Sequence, residues 1–334
     1  MTRSLQVAIG IAVSALALWF SMRDVDPAAV WRVLRHANYL GFAGAVGTTL
    51  IAFWLRALRW RSLISSPRRL ALSGLFSATM IGFMANNILP LRLGEFVRPW
   101  ALSRREGFSK SMLFATIVVE RVVDMISLLV ILGIALLIHP ISESTEAGRM
   151  TRAGAGVLVM ACVGLSLFVV VLERRPRLAH DVIARLSSPL PEKFRERVAT
   201  LLTQFVDGLG LFRDLPRLLW VLLLSFVMFA VVVLGLQASL WALAIHLPWH
   251  AGLIMLVITA IGIMVPAAPG YIGTMNMACI AGLAVFQIGK ATAVPFSWFY
   301  WASQWAPVTL VGLICLQREG LSLRSLGQAR EGPA

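Results

Sequence analysis

Charged side chains are rare in this sequence, and one cluster of them has the types and spacing of an anion site. The stretch RLGEFVR places Arg92, Glu95 and Arg98 three residues apart, so a helix would bring them onto neighbouring faces. A guanidinium binds two phosphate oxygens at once, and two arginines beside one glutamate leave a net positive charge. Asn86 and Asn87 would complete such a site or satisfy interrupted backbone. An ion pair at a membrane interface is the alternative explanation.

A second cluster, VVERVVD, lies inside an apolar run and contains Glu120, Arg121 and Asp124. Insertion into a bilayer costs about 2.5 to 3.5 kcal/mol for each charged group at mid-depth. Three such groups facing lipid would cost roughly 8 to 10 kcal/mol, which is comparable to the stability of a whole protein. They are therefore expected to face the protein interior. We interpret the acids as positioning the arginines of the first cluster, although a purely structural network fits as well.

A third stretch, PAAPGYIGTMN, contains helix-stopping prolines and glycines that allow positive φ. A helix that resumes after Gly273 would direct its first amides inward, and such a helix end attracts anions. Thr274 and Asn276 are suited to capping it. The candidate binding residues of this stretch are Gly270, Tyr271, Gly273, Thr274 and Asn276.

The elements that must position these clusters are transmembrane helices. Hydrophobic residues make up 58% of the 334 residues and charged residues only 14%. The apolar runs long enough to cross a bilayer are 5–22, 38–55, 111–138, 154–172, 218–245 and 291–316. The sequence therefore predicts an all-α polytopic membrane protein, organised as a single transmembrane domain over residues 1–334 with a cytoplasmic connection at about 173–217.

The net charge of +14 follows the positive-inside rule and requires no nucleic-acid partner. The loop 56–69 has five arginines and no acid, so it is placed in the cytoplasm with the connection 173–217 and both termini. Both flanks of 71–103 are then cytoplasmic. Both flanks of 251–289 lie on the outer side.

Each of these two segments must leave and return on one side of the membrane. The sequence thus predicts about six full spans plus two interrupted or re-entrant helical hairpins that enter from opposite faces. Such a pair is typical of a transporter with an inverted repeat and a midplane site. Proline kinks within packed helices are the alternative.

The remaining chemistry-bearing residues suggest no metal and no cofactor. Cys162, Cys279 and Cys315 are widely spaced within apolar runs, without a zinc or disulfide pattern. The sequence contains no ATP-binding loop and no metalloprotease or other catalytic motif.

Taken in order, these blocks resemble the flippase-like family of the lysylphosphatidylglycerol synthase transmembrane region, with this chain as a stand-alone member. The residues that carry the resemblance are Asn87, Pro90, Arg92, Gly94, Glu95 and Arg98, then Glu120, Arg121 and Asp124, then Pro266, Pro269, Gly270 and Gly273, with 56–63 also matching. The resemblance implies a multi-pass protein of a bacterial or archaeal cytoplasmic (inner) membrane that handles lipids.

We therefore expect a lipid flippase or transporter that binds an anionic, phosphate-bearing headgroup, and not an enzyme. The resemblance leaves the partner open among phospholipid, polyprenyl-phosphate-linked and hopanoid-type lipids. One alternative is an integral-membrane transferase with Glu120 or Asp124 as base or metal ligand. Another is a non-transporting partner of a lipid-modifying enzyme.

Overall fold

The computed structural model describes residues 3–23, 25–64, 70–89, 92–138, 214–264 and 268–323, with scattered helical positions between 149 and 167. Every regular element in these ranges is helical. The helices are α1 (Arg3–Met22), α2 (Pro27–Arg35), α3 (Tyr39–Leu63), α4 (Leu72–Ile88), α5 (Gly94–Glu106), α6 (Lys110–Ile138), α7 (Leu215–Ala242), α8 (Ala251–Met264), α9 (Thr274–Ala284) and α10 (Lys290–Arg318), with a 3-10 turn at Pro269–Tyr271. The predicted connection 173–217 lies almost wholly outside the described residues, as do Pro90 and Pro266.

Four of the described helices, α3, α6, α7 and α10, are long and apolar enough to cross a membrane, by length and composition. They correspond to four of the predicted spans. Helix α8 is apolar but shorter. The prediction of an all-α polytopic membrane protein is confirmed.

Helix α3 corrects one predicted boundary. The sequence placed a cytoplasmic loop from residue 56, because five arginines follow there, but the helix continues to Leu63. Arg59 and Trp60 are fully buried in it. The indole nitrogen of Trp60 donates to Thr116 Oγ1 at 2.9 Å. The end of α3 is therefore helical and buried because its polar side chains have hydrogen-bond partners inside the protein.

Helices α4 and α5 form the first interrupted hairpin. Gly74 lies against the Arg105 side chain and Gly82 against Arg98, so the two helices run antiparallel. A β-carbon at Gly82 would lie 2.7 Å from that of Arg98. The two helices can approach this closely because these glycines have no side chains.

Helices α8 and α9 form the second interrupted hairpin. Gly262 packs on Ala278, and Gly282 packs on Met255, so these helices are antiparallel as well. The chain between them contains the 3-10 turn, where Gly270 has a φ of 74°. The two predicted hairpins are thus present as helix pairs.

The second hairpin contacts the N-terminal half of α10. The side-chain amide of Asn276 donates to Ser297 Oγ at 3.0 Å. Further along α10, the indole of Trp301 donates to the Gly270 carbonyl at 2.8 Å. The body of this hairpin therefore lies beside the start of α10, and its turn lies beside the middle.

The first hairpin contacts the C-terminal half of the same helix. The Asn87 amide donates to Thr309 Oγ1 at 3.0 Å, and Met84 packs on Gly312. The two hairpins therefore approach from opposite ends of α10, and their turns meet near its middle.

Candidate functional site

The core of the site is an ionic network around Glu120, whose carboxylate is fully buried. Arg98 of α5 lies 2.9 Å from its Oε2. From α3, Arg56 lies 2.8 Å and Arg59 3.2 Å from its Oε1. One carboxylate on α6 thus holds arginines from two other helices.

Asp124, one turn further along α6, holds part of the same set. It lies 2.5 Å from Arg59 Nη1 and 3.5 Å from Arg56 Nη1. Arg59 also donates to Ser225 of α7 at 2.7 Å. Removing one partner from a buried pair typically costs about 3 to 5 kcal/mol, because the other charge is left without compensation. Of the arginines that these acids were expected to position, Arg98 is held by Glu120. The other arginines that the two acids hold from neighbouring helices come from α3.

Arg98 is enclosed by the network and by an aromatic ring. Its Cζ lies 4.0 Å from the centroid of the Trp60 ring. Only 2% of Arg98 is exposed. Glu95 is the acid of the same stretch, but within the described residues no ion pair joins it to Arg92 or Arg98. The acid that pairs with Arg98 is Glu120, because α6 packs directly on α5.

Sequence reasoning missed Arg56 and Arg59 as members of the site, because it assigned them to a loop. The spacing of the two arginines could have indicated that they belong to the helix and share one face. Ala52, Arg56 and Arg59 follow one another at helical intervals, so an extended helix places both arginines on one face. That face is the one directed at Glu120 and Asp124.

A cavity of about 460 Å³ adjoins this network. The ionic side chains that line it are Arg56, Arg92, Glu95, Arg121 and Asp124. Its other walls come from α3, α4, α6, α7, α8, α9, α10 and the turn before α9. The complete cluster, with Arg59, Arg98 and Glu120 behind the wall, has five arginines against three acids and an excess of two positive charges.

The structure separates the predicted binding residues into two groups. Those that line the cavity are Asn87, Arg92, Glu95, Arg121, Asp124, Gly270 and Tyr271. Those that do not are Asn86, Arg98, Glu120, Gly273, Thr274 and Asn276. The second group supports the wall or the turns from behind.

The supporting roles of the second group are visible in its hydrogen bonds. Asn86 accepts from the Gly94 amide at 2.8 Å, across the first break. Asn276 accepts from the Gly273 amide at 3.1 Å, which caps α9. A β-carbon at Gly273 would lie 2.6 Å from the Ser14 carbonyl, so the start of α9 packs against α1. Gly273, Thr274 and Asn276 are therefore behind the cavity wall, whereas Met275 in the same helical turn lines it.

The two breaks touch each other at Arg92 and Tyr271. The guanidinium carbon lies 5.3 Å from the centroid of the tyrosine ring, within the range of a cation–π contact. Both residues have positive φ, 53° and 58°, which is uncommon for residues with a β-carbon. Strained backbone of this kind concentrates at functional sites.

Several guanidinium donors beside the cavity lack an acceptor. Among the described residues, Nε and Nη2 of Arg92 and Nε of Arg121 are buried without a hydrogen-bond partner. A buried donor without an acceptor is unfavourable by about 1 to 3 kcal/mol, and more when charged. Oxygen atoms of a bound anion would satisfy these donors.

The fold and site define a polytopic, all-α membrane protein with a cationic cavity between two interrupted hairpins. The chain belongs to the family described as the lysylphosphatidylglycerol synthase TM region, whose model matches residues 7–312. The resemblance seen in the sequence is thereby confirmed.

Two relatives show the range of proteins that share this similarity. The chain is 24% identical over 231 residues to the glycosyltransferase AglD of Haloferax volcanii, covering 63% of this chain but only 36% of that protein. It is 21% identical over 342 residues to the UPF0104 membrane protein PH1989 of Pyrococcus horikoshii, covering 97% and 100% of the two chains. The chain thus spans about a third of the glycosyltransferase's length. No solved structure matches.

Proposed function

We propose that this protein is a lipid flippase or lipid transporter that binds an anionic, phosphate-bearing headgroup in the cavity. The observation that carries the proposal is the Arg92 side chain: the residue lines the cavity, and its Nε and Nη2 are buried without an acceptor. Arginine forks match phosphate oxygens in number and direction. A phosphate would also offset the positive excess of the surrounding network.

The charged network supports this reading because its arginines are held in place before a ligand arrives. Arg56 lines the cavity, and its guanidinium is fixed by Glu120 behind the wall and by Asp124 within the wall. Preorganised donors avoid part of the entropy loss on binding. The headgroup would therefore meet a prepared cationic wall.

The hairpins supply a route for translocation. We propose that they are re-entrant from opposite faces of a bacterial or archaeal cytoplasmic membrane, with both termini in the cytoplasm. Unwound backbone at membrane depth is tolerated where it lines a wet cavity or is buried in protein. Rocking of one hairpin against the other would expose the headgroup site to either leaflet, while phospholipid, polyprenyl-phosphate-linked or hopanoid-type lipids remain candidate substrates.

A transferase is the second candidate, favoured by the name of the AglD relative. It would act on a lipid-linked substrate, with Glu120 or Asp124 as base. Both acids are occupied by arginines, and the described residues contain no group of three His, Cys, Asp or Glu that could hold a metal. These contacts favour a transporter that does not alter the lipid covalently. The protein would act alone or beside a lipid-modifying enzyme.

Transport is tested with purified protein in liposomes that contain a fluorescent anionic phospholipid in both leaflets. Rapid chemical quenching of the outer leaflet then reports exchange. We expect Arg92→Gly to slow exchange about tenfold or more, since a hydrogen bond to a charged group contributes about 1.5 to 3 kcal/mol. Arg32→Gln, on a side chain that is 73% exposed, is the matched control.

Wild-type exchange rates in Arg92→Gly for every anionic lipid tried would overturn the proposed site. Covalently altered lipid after incubation with purified wild-type protein would favour the transferase instead. If a co-purifying enzyme needs the protein but tolerates Arg92→Gly, the protein is a non-transporting partner.

A further inference from the structure

The cavity changes from charged to apolar along its length. On α6 the lining residues are Arg121, Asp124, Met125 and Leu128, which share one helical face. The first two are ionic and the last two are apolar. At 1.5 Å per residue, this change takes place over about 10 Å.

The lining of helix α3 also changes from charged to apolar, but here the charged residue comes later in the sequence than the apolar ones. Its lining residues are Thr49, Ala52, Phe53 and Arg56, and Arg56 lies beside the acids of α6. The Thr49 hydroxyl donates to the Ala45 carbonyl at 2.8 Å and accepts from the Gln304 side-chain amide at 2.7 Å, so its hydrogen bonds are made within the protein. Ala52 belongs to the same buried apolar cluster as Leu128. The charged ends of the α3 and α6 walls therefore coincide, and so do their apolar ends.

The lining residues of α7 and α8 are apolar apart from Thr259, and most of them pack in the same apolar cluster as Leu128. We call this region the apolar lobe. It consists of Leu128, Phe229, Val232, Leu256, Ala260 and Ile263. The nearby hydroxyl of Thr259 donates to the Met255 carbonyl of its own helix at 2.7 Å. An apolar hollow offers ordered water few partners, so water is a poor occupant.

We propose that the apolar lobe binds the hydrocarbon segment next to the substrate's phosphate. The ligand class is then an anionic amphiphile whose hydrocarbon begins close to the charge, held by the protein at both its phosphate and its first methylenes. This inference rests on the proposed anion site at Arg92. It goes further by assigning the opposite end of the cavity to hydrocarbon.

Binding of a homologous series of n-alkyl phosphates tests the inference, with inorganic phosphate as the member without hydrocarbon. Burial of a methylene contributes about 0.8 kcal/mol, so each added methylene should raise affinity about fourfold until the lobe is filled. Because the chains also partition into the surrounding lipid or detergent, the slope is compared between variants in the same nanodiscs.

Val232→Asn introduces a polar group into the lobe. Leu234→Asn is the matched control on the same helix, at a side chain that is 59% exposed. We expect Val232→Asn to flatten the dependence on chain length and to leave the affinity for inorganic phosphate unchanged. Leu234→Asn should keep the wild-type slope.

The possible failures are distinguishable. If phosphate binds but Val232→Asn and Leu234→Asn show the same slope, the lobe proposal is overturned and the anion site stands. If the slope depends on Val232 while Arg92→Gly alters no affinity, the proposed anion site is wrong, and with it the amphiphile assignment. If no member of the series binds, both proposals fail.

A second measurement covers the case in which Val232→Asn does not fold. An alkyl phosphate with a photoreactive terminal group is cross-linked to wild-type protein, and the labelled peptides are mapped. Labels at Phe229, Val232 or Leu256, competed by excess unlabelled ligand, support the proposal. Labels confined to exposed side chains such as Leu234 contradict it.

Discussion

The guanidinium of Arg92 lies 5.3 Å from the ring centroid of Tyr271, and this contact joins the turns of two hairpins that are far apart in sequence. Both residues adopt left-handed backbone, with φ of 53° and 58°. Such conformations cost of order 1 to 3 kcal/mol each and persist where surrounding structure enforces them. Two of the four described non-glycine residues with positive φ thus lie where the hairpins touch.

Arg92→Gly should separate backbone strain from ligand binding. Glycine relieves the left-handed conformation but removes the guanidinium, whereas Arg92→Ala removes the guanidinium and keeps the strain. We expect the glycine variant to be more stable than the alanine variant by about 1 kcal/mol in thermal unfolding. Both should lose lipid exchange to the same extent. A more stable alanine variant would show that the backbone at residue 92 is not strained.

Glu120→Gln should be among the most destabilising single changes. It leaves Arg59 and Arg98 buried with less compensating charge, and loss of a buried partner costs about 3 to 5 kcal/mol. Thermal unfolding in detergent is the measurement. Glu319→Gln, which removes a partly exposed partner of Arg105, is the control and should cost about 1 kcal/mol or less. Equal losses in the two variants would contradict the network.

The sequence predicted the two acids of α6 as interior residues, because the cost of facing lipid is large in any arrangement. It did not predict their main partners on α3. The positive-inside rule counts charges near helix ends and treats Arg56 and Arg59 as loop residues. Their spacing places both arginines on one helical face, but it does not specify the partners Glu120 and Asp124, which are 61 or more residues away in the chain.

Gly82→Ala should disrupt the first hairpin. The added methyl would lie 2.7 Å from the Arg98 β-carbon and 3.1 Å from the Gly94 carbonyl, so the helices must separate. We expect lower thermal stability and loss of lipid exchange, because Arg98 would also shift from Glu120. Gly133→Ala is the control, since nothing lies within 4 Å of its added methyl. That variant should be neutral or slightly stabilised, because alanine favours helix.

The two hairpins were predictable because prolines and glycines mark each interruption in the local sequence, with flanking charges at the first one. The sequence could not predict which of their polar residues line the cavity and which satisfy the interrupted backbone. Asn86 and Asn276 were candidates for ligand binding, yet both accept backbone N–H groups left free by the breaks. A broken helix and a binding site require the same residue types, so only the three-dimensional arrangement separates these roles.

Trp301→Phe should loosen the second turn while keeping an aromatic ring. The indole N–H donates to the Gly270 carbonyl at 2.8 Å, and its loss leaves that acceptor without this partner. We expect destabilisation of about 1 to 3 kcal/mol and faster hydrogen exchange in residues 268–273. Trp249→Phe, on a side chain that is 65% exposed, should leave both measurements unchanged. Unaltered exchange in Trp301→Phe would mean that this bond does not hold the turn.

The most direct test of the central claim is whether a lipid phosphate binds at Arg92. Native mass spectrometry of the purified protein, titrated with an anionic phospholipid, measures the lipid-bound fraction. We predict that Arg92→Gly needs at least about tenfold more lipid than wild type to reach the same bound fraction, while Arg32→Gln behaves as wild type. Identical titration curves for wild type and both variants would contradict the claim.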